Sequence, residues 1–197
     1  MAIADYIGVD CPTSCGETSL PAVDIAECVD SIQEELSEIT DIYMVAVDAN
    51  GDPVEVPSDW TNEAAWATAL DQSTPDKIRH LIVSGDKPAP ETTDVTFSKF
   101  RTKVVNRGHT VNADIDDISD ANYTFMLTLQ CGATVRFWYA TYGGKLYGGA
   151  NGILADVTAN FVLERGQDSR ALIQLILNWD RKFDPPRIDN PMIGASS

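Results

Sequence analysis

The densest group of side chains capable of chemistry is a run of four aspartates. They are Asp114, Asp116, Asp117 and Asp120. Oxygen ligands at short spacing suit Ca²⁺, but the run lacks the glycine and the final glutamate of an EF-hand loop. Acidic residues also favour the first turn of a helix, where they meet the positive end of the helix dipole. We interpret the run as a strand end followed by a capped helix, with cation binding as the alternative.

The cysteines are the next candidates for metal chemistry. They are Cys11, Cys15, Cys28 and Cys131. The first two have CxxxC spacing rather than the CxxC of zinc ribbons, and neither histidine is near them. A zinc site built from the first three and a distant ligand is one alternative. We expect free thiols or a late disulfide instead, and no metal ion or other cofactor.

Catalytic motifs are absent from the sequence. His80 and His109 are far apart, and there is no GxSxG elbow, Walker A loop or dinucleotide fingerprint. The glycines of GGKLYGG predict a tight hairpin with small residues at a crowded contact. They are Gly143, Gly144, Gly148 and Gly149. We therefore predict a protein that is not an enzyme.

Charge is divided sharply along the chain. Residues 1–76 contain seventeen Asp or Glu and no Lys or Arg, whereas residues 77–197 contain fourteen Lys or Arg and thirteen Asp or Glu. Phosphates would repel the acidic part, which argues against its wrapping nucleic acid. The division fits a surface that repels a polyanion, or an acidic arm that docks on a basic patch of a neighbour. Solubility alone is the simpler explanation.

One basic cluster stands out in the second half. It comprises Lys99, Arg101, Lys103 and Arg107. It is either the solvated face of a hairpin or a contact patch for the acidic region of another subunit. Nucleic acid is a third option, but aromatic residues do not alternate with these cations as stacking platforms require.

The first half predicts an arm followed by mixed elements. Turn-forming residues make 1–23 an extended arm, and apolar spacings of three and four predict a helix at 24–38. Residues 41–48 predict a strand. Thr61 is predicted to cap a short helix through Leu70, and 78–84 to form a buried strand.

The second half predicts a long β-hairpin, a helix and several strands. The hairpin joins 94–105 to 109–116, with Val111, Ala113 and Ile115 inward, around a turn at Asn106-Arg107-Gly108. A helix from Ser119 to Cys131 is expected to end at Gly132 and to bury one face, formed by Tyr123, Met126, Leu127 and Gln130. Further strands are predicted at 133–142, 152–163 and 169–180, the last two joined by a turn at 165–168.

These elements predict a mainly β (α+β) fold. We expect an antiparallel β-sandwich or barrel with one packed mid-chain helix, a long β-hairpin and an extended N-terminal arm. The predicted units are an acidic arm and helix at 1–40, a β-rich core at 41–184 and an extended tail at 185–197. No apolar run approaches the ~20 residues of a membrane helix. The N-terminus does not have the pattern of a secretory signal.

The order of elements over residues 40–190 resembles the tail tube proteins of long-tailed phages and of contractile injection machines. The stretch TTDVTFSKFRTKVVNRGHTVNADIDDISDANYTFMLTLQCGATVRFWY has the same local character. The resemblance implies a barrel or sandwich flanked by a helix. It also implies homo-hexameric rings, closed through sheet edges and stacked into a hollow tube in the virion tail. DNA would pass through an acidic lumen without specific binding, and other tail proteins would be partners. Assembly would take place in the host cytoplasm, without a membrane or a cofactor.

The resemblance also identifies candidate contacts between subunits. Strands longer than the usual five or six residues predict edges that identical copies complete. We expect the cluster of Lys99, Arg101, Lys103 and Arg107, and the glycines Gly143, Gly144, Gly148 and Gly149, to lie at subunit interfaces.

Three alternatives stay open from the sequence. The first is another virion component, such as a tail terminator, head–tail connector or head decoration protein. The second is a carbohydrate- or ligand-binding β-sandwich with an aromatic platform, formed by Trp138, Tyr139, Tyr142 and Tyr147. The third is an enzyme whose site has no known motif.

Overall fold

The computed structural model describes residues 36–71, 74, 76–98, 101–163 and 171–192. The predicted arm at 1–23, the turn at 165–168 and the last five residues lie outside these ranges. So does the predicted helix at 24–38, except for its last three residues. These three are not helical: the Glu38 carbonyl accepts a bond from the Tyr142 amide at 2.8 Å, and the chain leads directly into a strand.

The described residues contain nine strands and two helices. In chain order they are β1 Ile39–Ala46, α1 Glu63–Ala69, β2 Arg79–Asp86, β3 Glu91–Ser98, β4 Arg101–Ile115, α2 Asp120–Gln130, β5 Ala133–Thr141, β6 Lys145–Tyr147, β7 Ile153–Leu163, β8 Ala171–Asp180 and β9 Arg187–Asp189. Strands account for 52% of the structure. The predicted mainly β fold is confirmed, and the strands at 41–48, 133–142, 152–163 and 169–180 are found within two residues of their expected bounds.

Six strands close into an antiparallel barrel. Their order is β1-β2-β4-β8-β7-β5, and β5 pairs again with β1. Alternate residues point into the barrel because successive side chains of a strand face opposite sides. Val111, Ala113 and Ile115 are at most 3% exposed, as their alternation predicts.

A second, smaller apolar cluster covers the outer face of β1 and β5. Here α1 lays Trp66 across Trp138, with ring centroids 5.3 Å apart. The Trp138 indole N–H donates to the Gly149 carbonyl at 2.6 Å. Because β5 is buried on both faces, its sequence is almost continuously apolar and aromatic.

Two details of the first half differ from prediction. The residue that caps α1 is Asn62, whose side chain accepts from the Ala64 amide, whereas Thr61 bonds to Asp59. The strand β2 is buried on one face only, because its other face meets solvent and leaves Ile82 72% exposed.

The predicted turn at Asn106-Arg107-Gly108 is wrong. The strand β3 ends at Ser98, and β4 begins at Arg101 and runs without a break to Ile115. Asn106 pairs with Thr93, and Gly108 pairs with both Glu91 and Asp180. These turn-forming residues are held extended by β3 on one side, and at Gly108 by β8 on the other side as well, because ladder hydrogen bonds outweigh a local turn preference.

The mid-chain helix α2 is confirmed, and of the face that was predicted to be buried only Met126 is buried. Met126 and Leu129 are buried, whereas Tyr123 is 40% and Leu127 45% exposed, and Gln130 is exposed. The expected stop at Gly132 is found, with φ at +78°. Residues 187–189, in the predicted extended tail, form β9 and pair with β6.

Candidate assembly surface

The hairpin of β3 and β4 projects from the barrel as a two-stranded ribbon. We use "ribbon" for residues 91–98 and 101–107. Residues 108–115 of β4 pair with β8 and, over 112–114, with β2. Among the described residues, β3 pairs only with β4, and residues 101–106 of β4 pair only with β3. Both long edges of the ribbon therefore present backbone groups that no described strand completes.

The predicted basic cluster is spread along this ribbon. Lys99 lies outside the described residues. Arg101 pairs with Ser98 and Lys103 with Val95, so both lie toward the tip. Arg107 lies at the base, where its backbone exchanges hydrogen bonds with Arg181 at 2.9 and 3.1 Å. The three described cations thus follow the ribbon from tip to base.

Three basic side chains converge on one carboxylate at the base of the ribbon. Lys87 Nζ lies 3.0 Å from Asp184 Oδ1, Arg107 Nη1 lies 4.0 Å from Asp184 Oδ2, and His109 Nδ1 lies 3.8 Å from Asp184 Oδ1. We call these four residues the base cluster. Burial raises the pKa of Asp184, but the hydrogen bond and charge of Lys87 outweigh this and hold the pKa below its ordinary value. The sequence showed only Arg107 of this group, because the others come from different elements.

His109 is the buried member of the base cluster. Its side chain is stacked on Trp179 with centroids 5.0 Å apart, and the residue is 1% exposed. Since a carbonyl only accepts, Nε2 carries the proton that it donates to the Arg181 carbonyl at 3.1 Å. Burial lowers the pKa of the imidazole below 6.5, more than the Arg181 hydrogen bond raises it.

Buried nitrogens without partners concentrate in the same place. Within the described residues they are Arg107 Nε, His109 Nδ1 and Trp179 Nε1. A buried polar atom without a partner costs about 1–3 kcal/mol. The base of the ribbon is therefore polar, positively charged and incompletely paired.

The predicted interface glycines have roles within their own chain. A Cβ on Gly148 would lie 2.4 Å from Trp138 Cδ1, and a Cβ on Gly149 would lie 3.0 Å from Pro186 Cγ. Gly143 and Gly144 turn the chain from β5 to β6, at the barrel end from which the ribbon projects. The crowded contact expected for these glycines is thus found inside the chain at Gly148, and a role between subunits stays a prediction.

A cleft of about 460 Å³ lies on the outer surface beside α1. Its lining includes Asp41, Tyr43 and His80. His80 Nε2 lies 2.7 Å from Asp41 Oδ1. Burial raises the pKa of Asp41, but the hydrogen bonds from His80 and Thr40 outweigh burial and hold the pKa below its ordinary value. Burial and the Asp41 charge raise the pKa of Tyr43, which stays protonated. The described lining of the cleft contains no serine, threonine or cysteine, although the Thr40 hydroxyl donates to Asp41 Oδ2 at 2.7 Å.

The other sequence candidates are placed as follows. Asp117 accepts from the Ser119 amide at 3.0 Å, as expected of a residue before a helix. In the described part of the chain, no group of three or more His, Cys, Asp or Glu is arranged to hold a metal ion.

The aromatic platform does not form, since Trp138 and Tyr139 are at most 3% exposed. The helices that the structure describes are too short or too polar to cross a membrane.

Fold and surface together define a closed six-stranded antiparallel barrel with a projecting ribbon. Comparison with protein-family models, with curated proteins and with solved structures found no match to this chain.

Proposed function

We propose that this protein is a tail tube subunit of a bacteriophage, which self-assembles into stacked hexameric rings. The observation that carries the proposal is the ribbon, with two uncompleted edges beside a barrel whose own strands pair with one another. Open edges of a sheet bind further strands unless they are protected. Head-to-tail contacts between identical subunits close a ring at a fixed number, and stacking of rings produces length.

The open edges of the ribbon favour it as the place where another copy would complete the sheet. The sequence led us to expect that several long strands of the second half extend beyond their own fold. In the barrel, β5, β7 and β8 each have strand neighbours on both sides. The ribbon is open along both edges, whereas residues 158–163 of β7 still pair with β8 on one side, so we assign the contacts between subunits to the ribbon.

The charge division supports a conduit for DNA. With seventeen acidic and no basic residues in positions 1–76, an acidic lumen would keep DNA from adhering during ejection. In this proposal the protein is a structural, non-enzymatic virion component without a cofactor. It binds itself and other tail proteins, and it is assembled in the host cytoplasm without a membrane.

Electron microscopy of the purified chain tests the proposal. Long hollow rods of constant diameter are expected, because the ribbon can be completed repeatedly. Isolated rings would instead favour a tail terminator or head–tail connector. A monomer at all concentrations would contradict both.

Charge reversal tests the ribbon contact. Lys99→Glu, Arg101→Glu and Lys103→Glu together should abolish rods, because like charges would face each other across the interface. The matched control is Lys77→Glu, Arg79→Glu and Lys145→Glu, which makes the same change in net charge outside the ribbon. Rods of normal length in the ribbon variant would contradict the assignment.

Deletion of residues 1–23 tests the predicted arm. The shortened chain is expected to stay folded and soluble but to assemble at a higher critical concentration, because an arm contributes contacts rather than core. Rod formation followed by light scattering measures this. Loss of soluble folded protein would show that the segment belongs to the core.

A further inference from the structure

The two ends of the barrel present different elements. The ribbon leaves the end at which Gly108 pairs with Asp180, the last residue of β8. At the opposite end, β8 begins at Ala171, which pairs with Leu163 at the end of β7. The helix α2 follows β4 at this opposite end, which we call the helix end. One copy therefore carries its uncompleted hairpin at one end and α2 at the other.

The helix end has an uncompleted sheet edge of its own. Residues 153–157 of β7 pair with β5 as well as facing β8, whereas residues 158–163 pair only with β8 in the described part of the chain. The backbone groups on the outer side of 158–163 therefore have no described strand beside them. An edge of this kind can bind one more strand, with main-chain hydrogen bonds supplying the affinity.

Exposed apolar side chains surround this edge. The Tyr123 ring of α2 packs edge-on against the Phe161 ring of β7, with centroids 5.4 Å apart. Leu127 lies one turn after Tyr123 on the same face of α2, and Leu163 follows Phe161 on the same face of β7. Tyr123, Leu127 and Leu163 are exposed, Leu163 by 71%. Apolar side chains grouped in this way are typical of a surface that binds another protein.

The charges at the helix end favour the ribbon of a second copy as the partner. Asp116 and Asp117 connect β4 to α2, and Asp120 begins α2; all three are exposed. The outer part of the ribbon contains Arg101 and Lys103, and residues 95–98 and 101–104 contain no Asp or Glu. A ribbon that reaches the helix end of another copy would therefore bring opposite charges together.

The strand directions fit the same partner. The strand β3 runs from the base of the ribbon to its tip, because Glu91 pairs with Gly108 and Ser98 pairs with Arg101. The strand β7 runs in the opposite sense, toward the helix end. When two copies follow one another in the same orientation, β3 of the first is antiparallel to β7 of the second. Antiparallel pairing is slightly the more stable of the two kinds.

We propose that the ribbon of one copy docks at the helix end of the next copy, where β3 adds as an antiparallel strand to residues 158–163 of β7. This inference rests on the self-assembly in the proposed function and names the surface that receives the ribbon. The two surfaces lie at opposite ends of the chain, so each added copy presents a new ribbon. The contact can therefore repeat without closing, which produces length.

Photocrosslinking from the ribbon tests the contact. p-Benzoylphenylalanine in place of Phe97 keeps an aromatic side chain in β3. Mass spectrometry of ¹⁴N and ¹⁵N chains mixed before assembly separates links within a chain from links between chains. The expected result is a link between isotopes to residues 158–163 or to α2. Links between isotopes to any other surface, or links within one chain alone, would overturn the proposal.

Two matched variants measure the contribution of the apolar surface. Leu163→Lys removes an apolar contact beside the β7 edge and places a cation where the basic ribbon would dock. It should raise the critical concentration for rods about tenfold, the ratio that corresponds to about 1.4 kcal/mol. Ile82→Lys is the control, because Ile82 is an aliphatic strand residue of nearly equal exposure, 72%. Light scattering measures both.

The control also tests the nearest rival edge. Residues 79–83 of β2 pair with β1 but have no described partner on the side of β4, so β2 has a shorter open edge at the helix end. Loss of rods with Ile82→Lys and not with Leu163→Lys would move the contact to β2 and overturn the proposal.

The outcomes separate this contact from the tube itself. Rods whose photolinks lie elsewhere would overturn the contact and leave the tube proposal standing. The expected link in closed rings alone would support the contact and contradict the tube. A chain that stays monomeric would contradict both.

Discussion

The barrel and the ribbon are made from the same strand, yet they are stabilised in different ways. Residues 108–115 of β4 lie against β8 and β2, and their inward side chains are buried. Residues 101–106 have β3 as their only strand neighbour among the described residues, and Val105 beside this boundary is 49% exposed. A two-stranded ribbon is marginal by itself in water. The comparison shows that one strand can serve the core of its own chain and offer an edge to another.

The largest difference between barrel and ribbon is expected when a buried and an exposed aliphatic side chain are each truncated to alanine. Leu175→Ala, on the barrel side, should lower the free energy of unfolding by about 2–5 kcal/mol, because Leu175 is 0% exposed and a cavity would remain. Val105→Ala, in the ribbon, should stay within about 0.5 kcal/mol. Denaturant unfolding of the unassembled chain measures both. Similar losses would mean that the ribbon is part of the core.

Two glycines of the same sheet provide the next comparison. Gly85→Ala should destabilise the chain by about 1–3 kcal/mol, since its Cβ would lie 2.7 Å from the Asn112 carbonyl oxygen where β2 meets β4. Gly108 lies where β4 leaves the barrel. The Cβ added by Gly108→Ala would meet only Asp180 Oδ1, at 3.5 Å, which is an ordinary contact distance. This substitution should leave stability unchanged or raise it by up to about 1 kcal/mol, because alanine restricts the unfolded chain.

The midpoint of thermal unfolding, measured for both glycine variants and for the parent chain, checks these two expectations. If Gly108→Ala proved the more damaging change, the close contact would lie at the ribbon base rather than inside the barrel wall.

The smallest expected effect is the pH dependence contributed by His109, at the boundary of the two regions. Burial holds its folded-state pKa below 6.5, so the unfolded chain binds a proton more readily. The free energy of unfolding should therefore fall as pH falls below about 6.5, and this contribution should level off below the folded pKa. His109→Gln, which keeps a donor for the Arg181 carbonyl, should lack it.

Unfolding by urea at pH 7.5 and pH 5.5 compares the two proteins. The carboxylates with lowered pKa values, such as Asp184, lose their contribution only at more acid pH, so they do not obscure this window. An equal pH effect in both proteins would assign it to groups other than His109.

The sequence predicted strands correctly where one face of the strand, or both faces, are buried. Alternation predicted the inward face of β4, and continuous apolar composition predicted β5. Prediction failed where pairing overrode local preference, as at Asn106-Arg107-Gly108, where β3 pairs with all three residues and β8 pairs with Gly108. It also failed for Ile82, because a strand of apolar residues gives no indication that one of its faces will have no cover.

Only part of the candidate site could be predicted from the sequence. The basic residues were visible as a cluster, and their placement along a ribbon was not. Lys87, His109 and Asp184 are separated by 22 and 75 positions, and no spacing rule joins residues so far apart. Their convergence depends on the order β2-β4-β8 in the sheet.

By itself, the sequence determined the mainly β composition, the position of the mid-chain helix and the division of charge, because hydrophobic periodicity and residue type act over short distances along the chain. Only the tertiary structure decided which edges close. Pairing of β5 with β1 completes the barrel and leaves β3 and the outer half of β4 as open strands, and this depends on which distant segments meet. Backbone hydrogen bonds between strands are indifferent to side-chain identity, so the sequence carries little record of partner choice.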